Sequence, residues 1–439
     1  MLNKRNISID RYRGLIVFLM IFFQMLAHFE NLGVLTHVSV HAPNFLIDAP
    51  GNIEKALNGI YFLPNMTLAD IIAPAFMFAI GLTLVSSYKR RVKTMGKEKA
   101  VKSLIERYLV LIGVGVMFNS VNTLLDGSLM DKDTFLLDVS VFCLSVLFLI
   151  TFLVSFIFKK RKSLRNFSLN VIRILGIYGI LIMFVNMIVL IFINTDVNYG
   201  FWNTLQHIGL SCIITILIIA SFKDESSKKR LIASIILFVL YSIFHESSLN
   251  VDGIKNAIVI DQNTDGGILG SIGYASLLLA YTVLADIYYK NRDKFKKTIF
   301  IMLIPILLVI IYVMYTFEAY DGTSRLFTAG TNEFLMINKG SISPSFLLVS
   351  LFISPFIFIV IDLFHKKKFK FEFFSIWGKS AILMYILEFF LVGGVTSLFG
   401  DNLIKNAPIP LAVFECLLLT IILTIIAYIL DKKNKIIKV

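Results

Sequence analysis

Charge is what this sequence has least of. Only 16% of its 439 residues are Asp, Glu, Lys or Arg, where a soluble chain of this length needs roughly a quarter to cover its surface. That shortage excludes an ordinary soluble globular protein. Cysteine is scarce too: Cys143, Cys212 and Cys416 are the only three, all inside apolar runs. Their positions exclude a disulfide framework and a thiolate metal site, and the histidines read as ordinary loop, interface or polar-site residues, so no metal is expected. Nothing near the first apolar run resembles a cleavable leader, because Arg13 interrupts that run and no small-residue cleavage site follows. The first helix is therefore expected to be retained. With no internal repeat, low-complexity tract or soluble segment, residues 1–439 read as one transmembrane domain.

What the chain has in abundance is apolar sequence, 57% of its residues, with a mean hydropathy of +0.80. The apolar residues come in runs of about twenty, enough to cross roughly 30 Å of hydrocarbon. Lipid offers no partner for backbone polar groups, so such runs must be helices. The predicted class is an all-α, polytopic membrane protein of about twelve spans. These fall near residues 12–30, 67–88, 104–125, 135–158, 170–195, 200–222, 230–246, 264–289, 298–317, 344–365, 373–398 and 409–430.

The net charge of +13 does not point to nucleic acid, because the basic residues lie in short clusters between apolar runs without an aromatic-interleaved stripe. They act as topology signals. With both termini in the cytoplasm, all but six of the 42 Lys and Arg fall on the inner side; the exceptions are Lys55, Lys132, Lys255, Arg325, Lys339 and Lys405. A wrong span count would mix the two sets partway along the chain. The implied location is the cytoplasmic membrane, with membrane lipids as the first partners. The outer loops are longer, richer in Asp, Asn, Gly, Thr and Ser, and long loops tend to be functional.

Polar groups at membrane depth are costly and mark a site by default. Counting helix rise from the cytoplasmic end puts His28 and Glu388 about 22 Å deep, and His207 and Glu415 about 24 Å deep. Asn119 lies a little deeper and Asp70 near the outer interface. Gln24 and His28 are four apart and share a helix face, so an amide and an imidazole could orient a substrate and accept its proton. The bland alternative makes His28 interfacial, bonded to headgroups or to Glu30. Glu388 reads as a protonated base, a partner for His28 or His207, or a structural ion pair. Asp70 with Pro74 also fits a helix-start device, and His207 could simply cap a polar patch. On the inner side Asp10, Arg13, Arg107 and Arg173 mark helix starts, where arginines hold phosphates or anchor the protein on anionic lipid.

Several segments together resemble one family. Ser8-Ile9-Asp10-Arg11-Tyr12-Arg13-Gly14 followed by Phe18-Leu19-Met20-Ile21 is similar to the first-helix signature of the heparan-α-glucosaminide N-acetyltransferase family and its bacterial relatives. Thr67-Leu68-Ala69-Asp70-Ile71-Ile72-Ala73-Pro74, with Phe76, Phe78 and Gly81, resembles its second-helix motif. Leu205-Gln206-His207-Ile208-Gly209 resembles its Leu-Gln-Arg segment. Asn338-Lys339 with Ser343, Ser345 and Phe346 resembles its outer-loop Asn-Lys motif, and Gly378-Lys379-Ser380-Ala381-Ile382-Leu383-Met384-Tyr385 its late-helix motif. The five matches fall in order over nearly the whole chain.

The resemblance implies an integral-membrane acyltransferase. Such an enzyme takes an acetyl or other acyl group from acyl-CoA in the cytoplasm and passes it to a sugar amine or hydroxyl of a glycan or glycolipid outside. From the depth and spacing of the polar residues, His28 is expected as base, with Gln24 and Asp70 as orienting groups and Glu388 and His207 in support. Asn119, Asn338 and Lys339 are the expected acceptor contacts, Arg13 and Arg107 those of the donor's phosphates, and a homodimer is a compatible assembly. The sequence also departs from the family. Its catalytic histidine position falls on Ile60, its first-helix Asn on Gln24, its Leu-Gln-Arg arginine on His207, its late Trp on Ile342 and a late-helix His on Glu388. Either His28 or a loop histidine such as His41 replaces the missing base, or transfer activity has been lost. In the second case the frame would serve transport, lipid flipping or envelope-polymer assembly.

Overall fold

The computed structural model describes residues 7–27, 69–125, 143, 162–193, 204–222, 226–250, 266–318, 339, 342–366, 372–379, 384, 387 and 408–432. Among them are eleven α-helices and one 3-10 turn, and no strand. We number the helices in chain order. Helix α1 is Ile7–Ala27, α2 Ile72–Met95, α3 Lys97–Leu125, α4 Lys162–Ile193, α5 Thr204–Ser221 and α6 Ser227–Asn250. Helix α7 is Gly267–Lys290, α8 Arg292–Glu318, α9 Pro344–Lys366, α10 Glu372–Lys379 and α11 Ile409–Lys432. All of the predicted span at 135–158 except Cys143, and most of that at 373–398, lie outside the described residues.

Four of the described helices are long and apolar enough to cross a membrane: Ile72–Met95, Thr204–Ser221, Gly267–Lys290 and Pro344–Leu363. Helix α6 shows what the surroundings must be. Its outward side carries Ile232, Ile235, Ile236, Val239, Ile243 and Phe244, all exposed, while Arg230, Ser234, Tyr241 and His245 are buried. A contiguous apolar surface of this kind is a liability in water and the expected face toward lipid. Helix α11 repeats the pattern with Phe414, Leu417, Leu418, Ile421 and Ile425 exposed and Cys416, Thr420, Leu423 and Ala427 buried. The protein is thus an all-α membrane protein.

By its contacts the chain divides into two compact units. The first comprises Met1–Leu82, Leu284–Lys339 and Ser345–Lys438, the second Thr83–Val283, Gly340–Pro344 and Val439. Both α2 and α7 contribute to each unit.

In the first unit α1 packs against α10 and α11. The approach of α1 and α10 is set by two glycines. A Cβ on Gly14 would lie 1.6 Å from the carbonyl oxygen of Phe374, and one on Gly378 would lie 2.1 Å from that of Asp10. Small residues that admit backbone-to-backbone contact are the usual device where lipid removes the hydrophobic drive between helices. Around this contact Phe18 meets Phe373, Phe374 and Trp377 edge-on, at ring-centroid separations of 5.6–5.7 Å. Lys379 at the end of α10 donates to both oxygens of Asp431 on α11, at 2.9 and 2.8 Å. A second aromatic core joins Tyr12, Phe78, Phe358, Tyr288 and Phe295 in edge-to-face pairs, the geometry the ring quadrupoles favour.

In the second unit α3 is the hub, packing on α4 and α5. Gly113 and Gly176 bring α3 and α4 together: a Cβ on either would fall about 2 Å from a carbonyl oxygen of the other helix, that of Ile172 or Leu109.

Candidate functional site

Two polar clusters stand out, one in each unit. In the second unit α5 and α7 meet through hydroxyls and an imidazole. His207 Nδ1 and Ser271 Oγ share a hydrogen bond of 2.9 Å, with the imidazole tautomer deciding which group donates. One turn along α5, the Ser211 hydroxyl donates to the Ser271 carbonyl at 2.8 Å. The Tyr274 ring stands edge-on to the imidazole, its centroid 5.6 Å away. His207, Ser211, Ser271, Tyr274 and the neighbouring Gln206 are all fully or almost fully buried. The local sequence explains the grouping. His207 and Ser211 are four apart on α5, and Ser271 and Tyr274 three apart on α7, so each pair shares one helix face. An imidazole held by a hydroxyl can take up a proton and pass it on, which is acid–base chemistry.

The first unit gathers its polar groups at Asp362, near the end of α9. The Ser8 hydroxyl, in the first turn of α1, donates to Asp362 Oδ1 at 2.9 Å. The Tyr288 hydroxyl of α7 reaches the same oxygen at 3.3 Å. Arg292 at the start of α8 approaches Oδ2 at 3.7 Å and also lies over the Tyr288 ring, 5.2 Å from its centroid. The carboxylate is almost wholly buried whereas the Arg292 side chain is 45% exposed. Four helix ends therefore converge on one carboxylate. Sequence reading missed all four residues. The one signal the sequence carries is the carboxylate of Asp362 within the apolar run 344–365.

Of the residues expected from sequence, Asp70 lies in the 3-10 turn Ala69–Ile71 that leads into α2, and it is completely buried. Arg13 is half-buried in α1 and donates to the Ala79 carbonyl of α2 at 3.3 Å, so it serves helix packing at least in part. Arg107 is exposed on α3. Arg13 belongs to the first unit and Arg107 to the second. Gln24 and Asn119 lie in α1 and α3, and their side chains fall outside the described structure. Lys339 lies at a turn and is half-buried. His28, Ile60, Asn338 and Glu388 lie outside the described residues, as do His37 and His41. Ile342, at the family's late Trp position, is fully buried with φ +51°. A β-branched residue in that left-handed region is strained. It is held there by the Tyr241 hydroxyl, which donates to the Ile342 carbonyl at 2.8 Å. Among the described residues no three His, Cys, Asp or Glu side chains gather as metal ligands would.

The structure does join segments that carry the family resemblance. Gly14 of the first-helix signature and Gly378 of the late-helix motif form the closest backbone approach of α1 and α10. Tyr12 of the first signature stacks edge-on with Phe78 of the second. No protein-family model and no curated protein sequence matches the chain. What fold and clusters define is a class: an all-α membrane protein with a buried imidazole–hydroxyl pair in one unit and a buried carboxylate tying helix ends in the other.

Proposed function

We propose that the protein is an acyltransferase of the cytoplasmic membrane that resembles the heparan-α-glucosaminide N-acetyltransferases. It spans the bilayer about twelve times with both termini inside. It moves an acetyl or related acyl group from cytoplasmic acyl-CoA to an amine or hydroxyl of an extracytoplasmic glycan or glycolipid. The observation that carries the reading is the hydrogen bond between the His207 imidazole and the Ser271 hydroxyl, a polar pair kept inside a helical unit where an unused polar group would be costly.

In the reaction the thioester C–S bond of the donor breaks and a C–N or C–O bond forms to the sugar. The proton leaving the sugar group needs an acceptor, and the departing thiolate needs a donor. His207, coupled to the Ser271 hydroxyl, supplies such a relay, and His28 with Gln24 and Asp70 is the first-unit candidate for the base. Glu388 supports it. Arg13 in the first unit and Arg107 in the second are separate candidates for the donor's phosphates.

The test is transfer of radiolabelled acetyl from acetyl-CoA in proteoliposomes, with an envelope-glycan extract as acceptor. Label in glycan or on the protein, falling about 100-fold or more in His207→Ala, fits the reading; label unaffected by that change removes His207 from the chemistry. The alternative is a transporter or flippase on the same frame, and Ile60 at the aligned histidine position favours it. That alternative wins if no label exceeds empty liposomes while glycan or lipid still binds saturably.

A further inference from the structure

The hairpin of α2 and α3 carries eight basic residues between Lys89 and Arg107 against two acidic ones, Glu98 and Glu106. It turns at Gly96, whose φ of +84° is the left-handed conformation that favours glycine. The turn folds Arg91 of α2 back against α3, where its guanidinium donates to the Ser103 hydroxyl. Arg107 lies four residues beyond Ser103, one turn further along the same face. The nearest carboxylate in sequence is committed elsewhere, since Glu106 pairs with Arg173 at 3.2 Å. Among the described residues Arg107 itself makes no hydrogen bond and no ion pair. Burial, then the charge of Arg107, lowers the pKa of Arg91 from its ordinary value, with Arg90 adding a smaller push. The two guanidiniums are therefore close enough to repel, one of them held in place by a serine, a setting that favours a bridging anion.

We propose that Arg91 and Arg107 form a phosphate clamp at this hairpin, with Ser103 positioning Arg91. Guanidinium forks match phosphate oxygens two at a time, and lysine does not reproduce that geometry. The clamp rests on the topology proposed above, which puts the hairpin in the cytoplasm. Its ligand is a phosphate group, supplied either by the nucleotide part of an acyl-CoA donor or by the headgroup of an anionic lipid.

The full-length protein in nanodiscs distinguishes these sources. In discs of neutral phosphatidylcholine, adenosine 3′,5′-bisphosphate is titrated and its affinity measured for wild type, Arg91→Gln, Arg107→Gln, Ser103→Ala and the control Lys99→Gln. In parallel, protein extracted from phosphatidylglycerol-containing discs is examined for retained lipid by native mass spectrometry. The nucleotide source predicts at least tenfold weaker binding in both arginine variants, a smaller loss in Ser103→Ala, and less than twofold change in Lys99→Gln. The lipid source predicts no nucleotide binding but retained phosphatidylglycerol that is lost in the arginine variants alone. Arg91→Lys, which keeps the charge and loses the fork, replaces Arg91→Gln if the latter does not fold, and is expected to bind several-fold more weakly than wild type.

The clamp is overturned if neither ligand binds, or if Lys99→Gln weakens binding as much as the arginine changes do. The two proposals fail separately. Nucleotide binding lost in the arginine variants, with no acetyl transfer by wild type, keeps the clamp and removes the transferase. Acetyl transfer whose KM for acetyl-CoA is unchanged in both arginine variants, with no lipid lost from either, keeps the transferase and removes the clamp.

Discussion

Asp362 shows how much one side chain can hold. Its carboxylate receives the Ser8 and Tyr288 hydroxyls while itself almost out of reach of solvent, so its removal breaks two buried hydrogen bonds to a charged acceptor. Each such bond lost costs about 1–3 kcal/mol. The Arg292 contact adds little, because its side chain is 45% exposed at 3.7 Å and screened by solvent. Asp362→Ala is therefore expected to lower the thermal midpoint of the purified protein clearly more than Ser8→Ala, whose cost is about 1 kcal/mol. The double variant should fall short of the sum. Strict additivity would show that Ser8 and Asp362 do not share a bond.

A second residue-scale prediction concerns Tyr241. Its hydroxyl is the partner of the Ile342 carbonyl at a backbone position with φ +51°. Tyr241→Phe keeps the ring and removes the bond, and should destabilise by about 1–2 kcal/mol, read as an earlier unfolding transition in detergent. An unchanged midpoint would mean that the carbonyl has another partner.

Between elements, packing rests on absent side chains rather than on large ones. At Gly14 and Gly378 the obstacle to a Cβ is backbone, which cannot rotate away as a flexible side chain would. Overpacking a core usually costs about 1–3 kcal/mol, and here α1 and α10 would have to separate altogether. Gly14→Ala or Gly378→Ala should leave little monodisperse protein on size-exclusion chromatography. Gly113→Ala should do the same through α3 and α4. Wild-type elution with an unshifted midpoint for any of the three would show that its helix pair tolerates a wider spacing. The inverted pattern of α6 belongs to the same scale: polar residues inside and isoleucines outside give a helix stable only where its surroundings are apolar.

For the whole molecule, the distribution of Lys and Arg assigns Lys97 to the inside and Lys255 to the outside. The prediction can be checked with a membrane-impermeant thiol reagent after Cys143, the exposed native cysteine, is changed to Ser. Lys255→Cys should label in intact cells and Lys97→Cys only after permeabilisation. Labelling of both from one side would break the twelve-span topology. Cys212 and Cys416 are buried and should stay silent in either case.

What the sequence by itself determined was the class and the short-range features. Runs of apolar residues dictate helices in lipid through backbone hydrogen bonding alone, and the described helices α2, α5, α7 and α9 fall where those runs lie. His207 was legible because a lone imidazole inside an apolar run is conspicuous in one dimension. Its partner Ser271, 64 residues away, was not, because serine within apolar helices attracts no notice until a neighbour is known. Ser8 and Asp362 are 354 residues apart, and Gly14 reads as any glycine until Phe374 lies against it. Only the tertiary structure decided these pairings. Helix formation depends on a segment's own residues, whereas which faces meet depends on how each helix is rotated and tilted against partners that are distant in the chain.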